Sequence, residues 1–263
     1  MTQIASNNPG NYTIGGMRLF WADKLGTAGT PVAVNALDAG TSTITLTGDV
    51  TTEYVTGVWF TISGSTDMDG DYRVVSSSLV TTNTEVVVAQ TFVSTTADGN
   101  ASTTHTAELN FGNVVTGALN SDITPLDHYS AKTGTRKKDR RVIQEVAVNI
   151  NITVDEPTAE LVKYWTLAGD ITEIAGSPTI KKFSPFTNFE QEGRPRFQGV
   201  SDTGNEFEWT PWNAQIAPDG DFTYNAEDWS EFSFSLEILD DTTSHPTTPY
   251  GEWFHYGVGT QLN

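Results

Sequence analysis

The chain has 263 residues, no cysteine and a formal net charge of −19, from 14 Lys and Arg set against 33 Asp and Glu. The missing cysteines exclude disulfides and thiolate metal sites, and no run of about 18 apolar residues is present to form a transmembrane helix. So negative a surface repels a phosphate backbone, which argues against a nucleic-acid-binding domain.

Thr, Gly, Ser and Asn are abundant, and the aromatics include 7 Trp, a composition that favours strands and turns over helices. The expectation is a mainly β protein with a single helix. The opening "MTQIASNNPGNYTIGG" lacks the basic start and apolar centre of a secretory signal, and the absence of cysteine fits a cytosolic origin or an environment-crossing particle.

The first strand candidate is "MRLFWA" (17–22), flanked by Gly-rich turns. Residues 31–100 then change character, with one basic residue, Arg73, against eight acidic ones. The runs "STITLTG" (42–48), "GVWFTISG" (57–64), "DYRVVSS" (71–77) and "TEVVVAQTFV" (84–93) alternate with turn signals. These predict a compact β domain inserted at 31–100, as a small sandwich or barrel. Residues 1–30 and 101–263 then form a core with a C-terminal arm.

The core resumes with "HTAELNFGNVVTGALNSDITPLDHY" (105–129), read as two strand-like runs joined near Gly112–Gly117. In "VIQEVAVNINITVD" (142–155), Val146, Val148, Ile150, Ile152 and Val154 alternate with Glu145, Ala147, Asn149, Asn151 and Thr153. That period of two predicts a long strand with one buried and one polar face, and Gln144 alone breaks the buried series. "DEPTAELVKYWTLAGD" (155–170) predicts the helix, with Pro157 in its first turn, Gly169 past its end, and Leu161, Tyr164, Trp165 and Ala168 on one stripe. Strands are expected again at 179–185, 196–202, 206–212 and 228–241, the last with Phe232, Phe234, Leu236 and Ile238 facing one way. The tail from Thr242 is punctuated by Pro and Gly yet carries Tyr250, Trp253, Phe254 and Tyr256. It is read as a poor strand and as an arm that docks on the core or on a neighbouring subunit.

No signature of catalysis emerges, and the expectation is no enzyme and no cofactor. His105, His128, His245 and His255 lack metal-ligand spacing, and there is neither a phosphate loop nor a nucleophile elbow. In "STDMDGDY" (65–72), Asp67, Asp69 and Asp71 mimic a calcium loop, but Gly70 is misplaced and the closing Glu is missing. A turn between strands is the better reading.

Charge is distributed unevenly. From Phe197 onward there are twelve acidic residues and no basic one, whereas six of the 14 cations lie within ten residues: Lys132, Arg136, Lys137, Lys138, Arg140 and Arg141. A segment at 130–141 between two strands reads as a loop. It could be merely solvated, or touch nucleic acid, although no aromatic residues interleave with its charges. Docking on an acidic surface of another copy uses both halves of the asymmetry.

The stretch "LNFGNVVTGALNSDITPLDHYSAKTGTRKKDRRVIQEVAVNINITVDEPTAELVKYWTLAG" (109–169) resembles the central region of bacteriophage tail tube proteins, also called major tail proteins. The matching features are a strand ending near "LDHYS", a polar loop with "KKD", and a long alternating strand ending in "VDEPTAELVKYWTLAG". The resemblance implies two packed antiparallel sheets with one flanking helix, assembled as hexameric rings that stack into a tube. Genomic DNA and a tape-measure protein would pass through it, with tail terminator and baseplate proteins as further partners and no membrane. The location implied is the virion tail, after assembly in the host cytoplasm. It makes the basic segment an inter-ring docking loop and suggests Asp122, Asp127, Glu145, Asn149 and Asn151 as lumen lining. Another ring-forming tail component is the first alternative. A carbohydrate-binding β protein that uses Trp59 or Trp253 is the second.

Overall fold

Chain rich in β-branched and aromatic residues, cut by Gly, Asp and Asn, folds into antiparallel strands, and the computed structural model is mainly β with one helix among the described residues. It describes residues 15–93, 96–130, 134, 136–176, 178–201, 206–222 and 230–256. The chain divides into two units. Met1–Leu19, Phe111–Gln191 and Phe197–Asn263 make the first; Phe20–Asn110 and Glu192–Arg196 make the second.

Strand β1 (Gly15–Asp23) begins in the first unit and ends in the second. There follow β2 (Val32–Asp38), β3 (Thr43–Leu46), β4 (Trp59–Ser63), β5 (Gly70–Val80), β6 (Asn83–Val88) and β7 (Asn100–His105). These six close into a barrel in the order β2, β3, β6, β5, β4, β7, and closure leaves the barrel without a free edge. Ile44, Leu46, Phe60, Ile62, Val74 and Val86 fill it, with the Tyr54 ring edge-on to Phe60 at 5.2 Å and Tyr72 stacked on Phe60 at 5.7 Å. Two barrel strands, β2 and β7, escape the sequence reading. The buried residues of β7 are Ala101, Thr103 and His105, so its period of two is invisible on a hydrophobicity scale. Short β8 (Leu109–Asn110) pairs with Phe20 and Trp21 of β1.

The remaining elements are β9 (Val114–Ser130), β10 (Lys137–Val154), α1 (Ala159–Trp165), β11 (Thr172–Ile174), β12 (Ile180–Lys182), β13 (Glu192–Ser201), β14 (Glu206–Thr210), β15 (Asn213–Asp219), β16 (Phe232–Leu239) and β17 (Glu252–Tyr256). Hydrogen bonding runs β17, β14, β13, β15, β16, β10, β9, β1, β8 in one nine-stranded sheet, and β1 also pairs with β13. β11 and β12 form a separate two-stranded sheet. In the first unit the buried face is the one its alternation implies: Ile150, Ile152 and Val154 lie opposite Leu236, Phe234 and Phe232. Phe111 stacks on Tyr164 at 5.9 Å and meets Phe234 at 5.5 Å.

The helix is shorter than 155–170. Thr158 is its N-cap, accepting from the Leu161 amide at 3.3 Å, so Pro157 precedes the helix instead of opening it. It stops at Trp165 because Leu167 takes φ of 48°, two residues before Gly169. Leu161 and Tyr164 are its buried residues, and it packs on β15 and β16.

The tail expected to be a poor strand and a docking arm does dock on the core, but as strand β17 on β14, with Trp253 opposite Trp209 and Phe254 opposite Glu208. Pro249 and Gly251 end just before it, and the five residues that pair contain neither Pro nor Gly. Gly251 has φ of 97° and would place any Cβ 2.3 Å from the Thr210 carbonyl oxygen, so only glycine fits this corner.

Candidate functional site

Of the segment expected to be a loop at 130–141, the described residues are mostly strand. β9 ends at Ser130 and β10 begins at Lys137, so Lys137, Lys138, Arg140 and Arg141 belong to a β-hairpin. Lys132 lies outside the described residues. Two irregularities conceal the pairing from sequence. Register shifts between Lys138 and Arg140 and between Ile143 and Glu145 leave Asp139 and Gln144 unpaired, and each bulge resets the period of two.

At about 3.3 Å per residue, an 18-residue strand such as β10 is roughly 60 Å long. Its partner β16 supports only Val148–Val154. On the other side β9 meets β1 only at Met17–Val114. From Lys137 to Ala147, and along β9 beyond Val114, the outer edges of the hairpin therefore have no backbone partner among the described residues. The hairpin is also apolar where nothing covers it. Leu119, Ile123 and Ile143 are 54%, 49% and 57% exposed, and Leu126 and Val142, an opposed pair, are exposed too.

Residues directly opposite in an antiparallel pair share a face, so the register assigns each candidate to one side. Glu145 opposes Thr124, Ala147 opposes Asp122, Asn149 opposes Asn120 and Asn151 opposes Ala118. Asp122, Glu145, Asn149 and Asn151 thus share one face. Across β16 and β15 that face continues through Glu237, opposite both Asn149 and Gln215, and through Asp219, opposite Ser233. The sequence reading missed Glu237 and Asp219, because only strand register joins them to the hairpin. Asp127 is on the other face: it lies opposite Arg141 and takes an ion pair from Lys138 at 2.5 Å, with Arg141 Nε 3.7 Å away.

The cations divide in the same way. Lys138 and Arg141 point to the side of Asp127, Arg136 covers the Tyr129 ring at 4.4 Å, and His128 Nδ1 is 2.6 Å from Asp139. Lys137 and Arg140, opposite Ser130 and His128, have no carboxylate partner among the described residues.

No family model matches the chain, and neither does any curated protein.

Among the described residues no cluster of His, Asp and Glu could hold a metal ion, and no helix is long and apolar enough to cross a membrane. Asp69 and Asp71 of the calcium-like stretch, and Asp98 beyond it, are engaged in hydrogen bonds within the fold. Asp69 accepts the Ser65 amide at 2.7 Å, Asp71 accepts the Thr61 hydroxyl at 2.6 Å, and Asp98 accepts both the Ser65 and Thr66 hydroxyls at 2.5 Å. Those hydroxyl bonds hold the Asp98 carboxyl below the usual range.

The second unit contains a buried ion cluster for which the sequence reading assigned no role. Arg194 and Arg196 enter on β13 at 1% and 3% exposure. Arg194 donates to Asp71 at 2.8 Å and stacks 3.7 Å over Trp59. Arg196 grips Glu108 with two bonds of 2.9 and 2.6 Å, and Glu108 also accepts from the Trp59 indole at 3.1 Å. Trp59, a candidate sugar platform on sequence, is therefore buried structural material. The signal was present as Arg194, Arg196 and Gln198 at every second position, an alternation of polar instead of apolar residues.

His105 borders this cluster. Burial, then the Arg194 charge, lower its pKa from 6.5 to about 4, with Lys24 acting in the same direction and Asp71 and Asp23 opposing. Between those values the unfolded chain binds a proton that the folded unit refuses. Stability is therefore whole above pH 6.5 and falls as pH drops towards 4, by up to about 3 kcal/mol. Urea titrations from pH 7 to pH 4 should show this loss, and His105→Gln should flatten that part of the curve.

Proposed function

We propose that this chain is a structural subunit that polymerises through its long hairpin into stacked rings, forming a tube of the bacteriophage tail-tube kind. The observation that carries the reading is the hairpin β9–β10. Its edges are unpaired over more than ten residues, and apolar side chains are exposed on it. An isolated monomer with such an edge is an aggregation hazard, whereas pairing between copies removes it.

The polar face supports the same reading. Asp122, Glu145, Asn149, Asn151, Glu237 and Asp219 spread over four adjacent strands, and the two cations that share the face, Lys137 and Arg140, sit at the hairpin tip. A channel lined this way repels DNA phosphates at short range and lets the polymer pass without adhering. The apolar opposite face, with Leu119, Ile123 and Ile143, is left for neighbouring copies to cover. The tail-tube fold with paired sheets and the hexameric ring rest on the sequence resemblance. Genome passage, a tape-measure protein, and terminator and baseplate partners come with it.

The charge at the tip gives the test. Lys137→Glu with Arg140→Glu should leave a folded chain of unchanged circular dichroism whose assembly concentration, read by sedimentation, rises at least about tenfold. Tubes of normal length at the wild-type concentration would remove the hairpin tip from the assembly contact.

A further inference from the structure

Strand β17 ends the nine-stranded sheet, and no described strand pairs with its outer edge. Its backbone is uninterrupted by proline, and Trp253 is 55% exposed despite lying flat on Phe207 at 5.0 Å and 7°. Stacking keeps the indole rigid, so a partner that covers it loses little side-chain freedom. Register assigns the strand's charges to one side: Glu252 opposes Thr210, Phe254 opposes Glu208 and Tyr256 opposes Glu206. One face of the edge therefore presents Phe254 and Tyr256 beside Glu206, Glu208 and Glu252, with Glu208 also accepting from Gln198 at 3.0 Å, and the other face presents Trp253.

We infer that the β17 edge receives the hairpin tip of a neighbouring copy, a contact that rests on the assembly reading and gives it an address. The donor is the free edge of β10, where Lys137 and Arg140 are followed by Val142 on the same face and Ile143 on the other. Charge and shape agree on this choice. The barrel is acidic but closed and offers no edge to pair with. The edges of the small sheet are β11 and β12, and β12 itself carries Lys181 and Lys182, which repel the tip. The outer edge of β9 carries Asp127 and Tyr129, but Asp127 is already paired with Lys138 and Tyr129 lies under Arg136, whereas β17 joins an edge that no described strand pairs with to exposed aromatics and flanking carboxylates. The contact joins two different surfaces of the chain, so it propagates from copy to copy instead of closing on itself as a dimer.

A charge exchange tests the assignment. Glu206→Lys with Glu252→Lys, and separately Lys137→Glu with Arg140→Glu, should each raise the assembly concentration at least about tenfold, while a chain carrying all four changes returns to within a few-fold of wild type. A four-change chain that assembles no better than its parents overturns the pairing. Because the chain has no cysteine, Val142→Cys with His255→Cys gives a second reading that leaves the charged residues intact. In assembled protein a short bismaleimide should link this double variant into a ladder of covalent oligomers, and each single variant should stop at dimer or below. Tubes that form but yield no ladder sink this contact and leave the tube reading standing; protein that stays monomeric in every variant sinks both. A ladder that appears only when an unrelated protein is added would mean that β17 serves another partner, which also overturns the inference.

Discussion

Arg194→Met should unfold the second unit at distinctly lower denaturant than wild type, a loss of about 3–5 kcal/mol. The guanidinium is 1% exposed, bonded to Asp71 at 2.8 Å and pressed on the Trp59 ring at 3.7 Å. Its removal leaves the Asp71 carboxylate, itself only 16% exposed on its side chain, facing a cavity without its cation. Adding Asp71→Asn should recover a large part of the loss, because the cost lies in the unmatched charge more than in the missing bond. Tryptophan fluorescence in urea would follow the transition, since Trp59 and Trp21 both belong to this unit. An unchanged midpoint would show that the ion cluster contributes nothing. The same pairs bear on excision of residues 31–100. Such a cut removes Asp71 and Trp59 but keeps Arg194 on β13, so a clean excision must also replace Arg194.

Ile123→Asp with Ile143→Asp should abolish assembly at concentrations where wild type polymerises, with little effect on folding. Both side chains are about half exposed in the isolated chain, at 49% and 57%, so a carboxylate there disturbs no core. In the proposed tube the same surface is covered, and each change removes an apolar contact of about 1 kcal/mol and adds a desolvated charge. The two together correspond to a rise in assembly concentration on the order of 100-fold or more. Sedimentation velocity across a concentration series measures this directly. Normal assembly by the double variant would mean that the apolar side of the hairpin faces solvent in the polymer.

Legibility in the sequence followed the buried side chains: long runs that bury apolar residues at period two were readable, while runs that bury polar residues, or only two apolar ones as β15 buries Ala214 and Ile216, were missed wholly or in part. Val148 to Val154 and Phe232 to Ile238 alternate cleanly, and the structure pairs these two runs with each other. β7 buries Thr103 in the barrel and His105 beside the Arg194 cluster, and β13 buries Arg194 and Arg196, so neither shows a full apolar period and only the part of β13 from Arg196 falls in an expected strand. The basic segment was misread for a different reason. The bulge at Asp139 inserts one residue, so the run Lys137–Arg141 reads as irregular chain although its other four residues are paired with β9. The aromatic tail was misread because proline and glycine colour a whole stretch, whereas they occupy only the corner before β17. Of the lumen candidates, alternation placed Glu145, Asn149 and Asn151 together. Asp127 differs from Asp122 by an odd number of positions, and strand parity alone was enough to separate them.

The most direct measurement is negative-stain electron microscopy of the purified wild-type chain, concentrated at low and then moderate salt, with sedimentation velocity on the same samples. The account predicts rings that stack into hollow tubes of uniform width as concentration rises. Discrete monomers across the whole concentration range at both salt levels would contradict it.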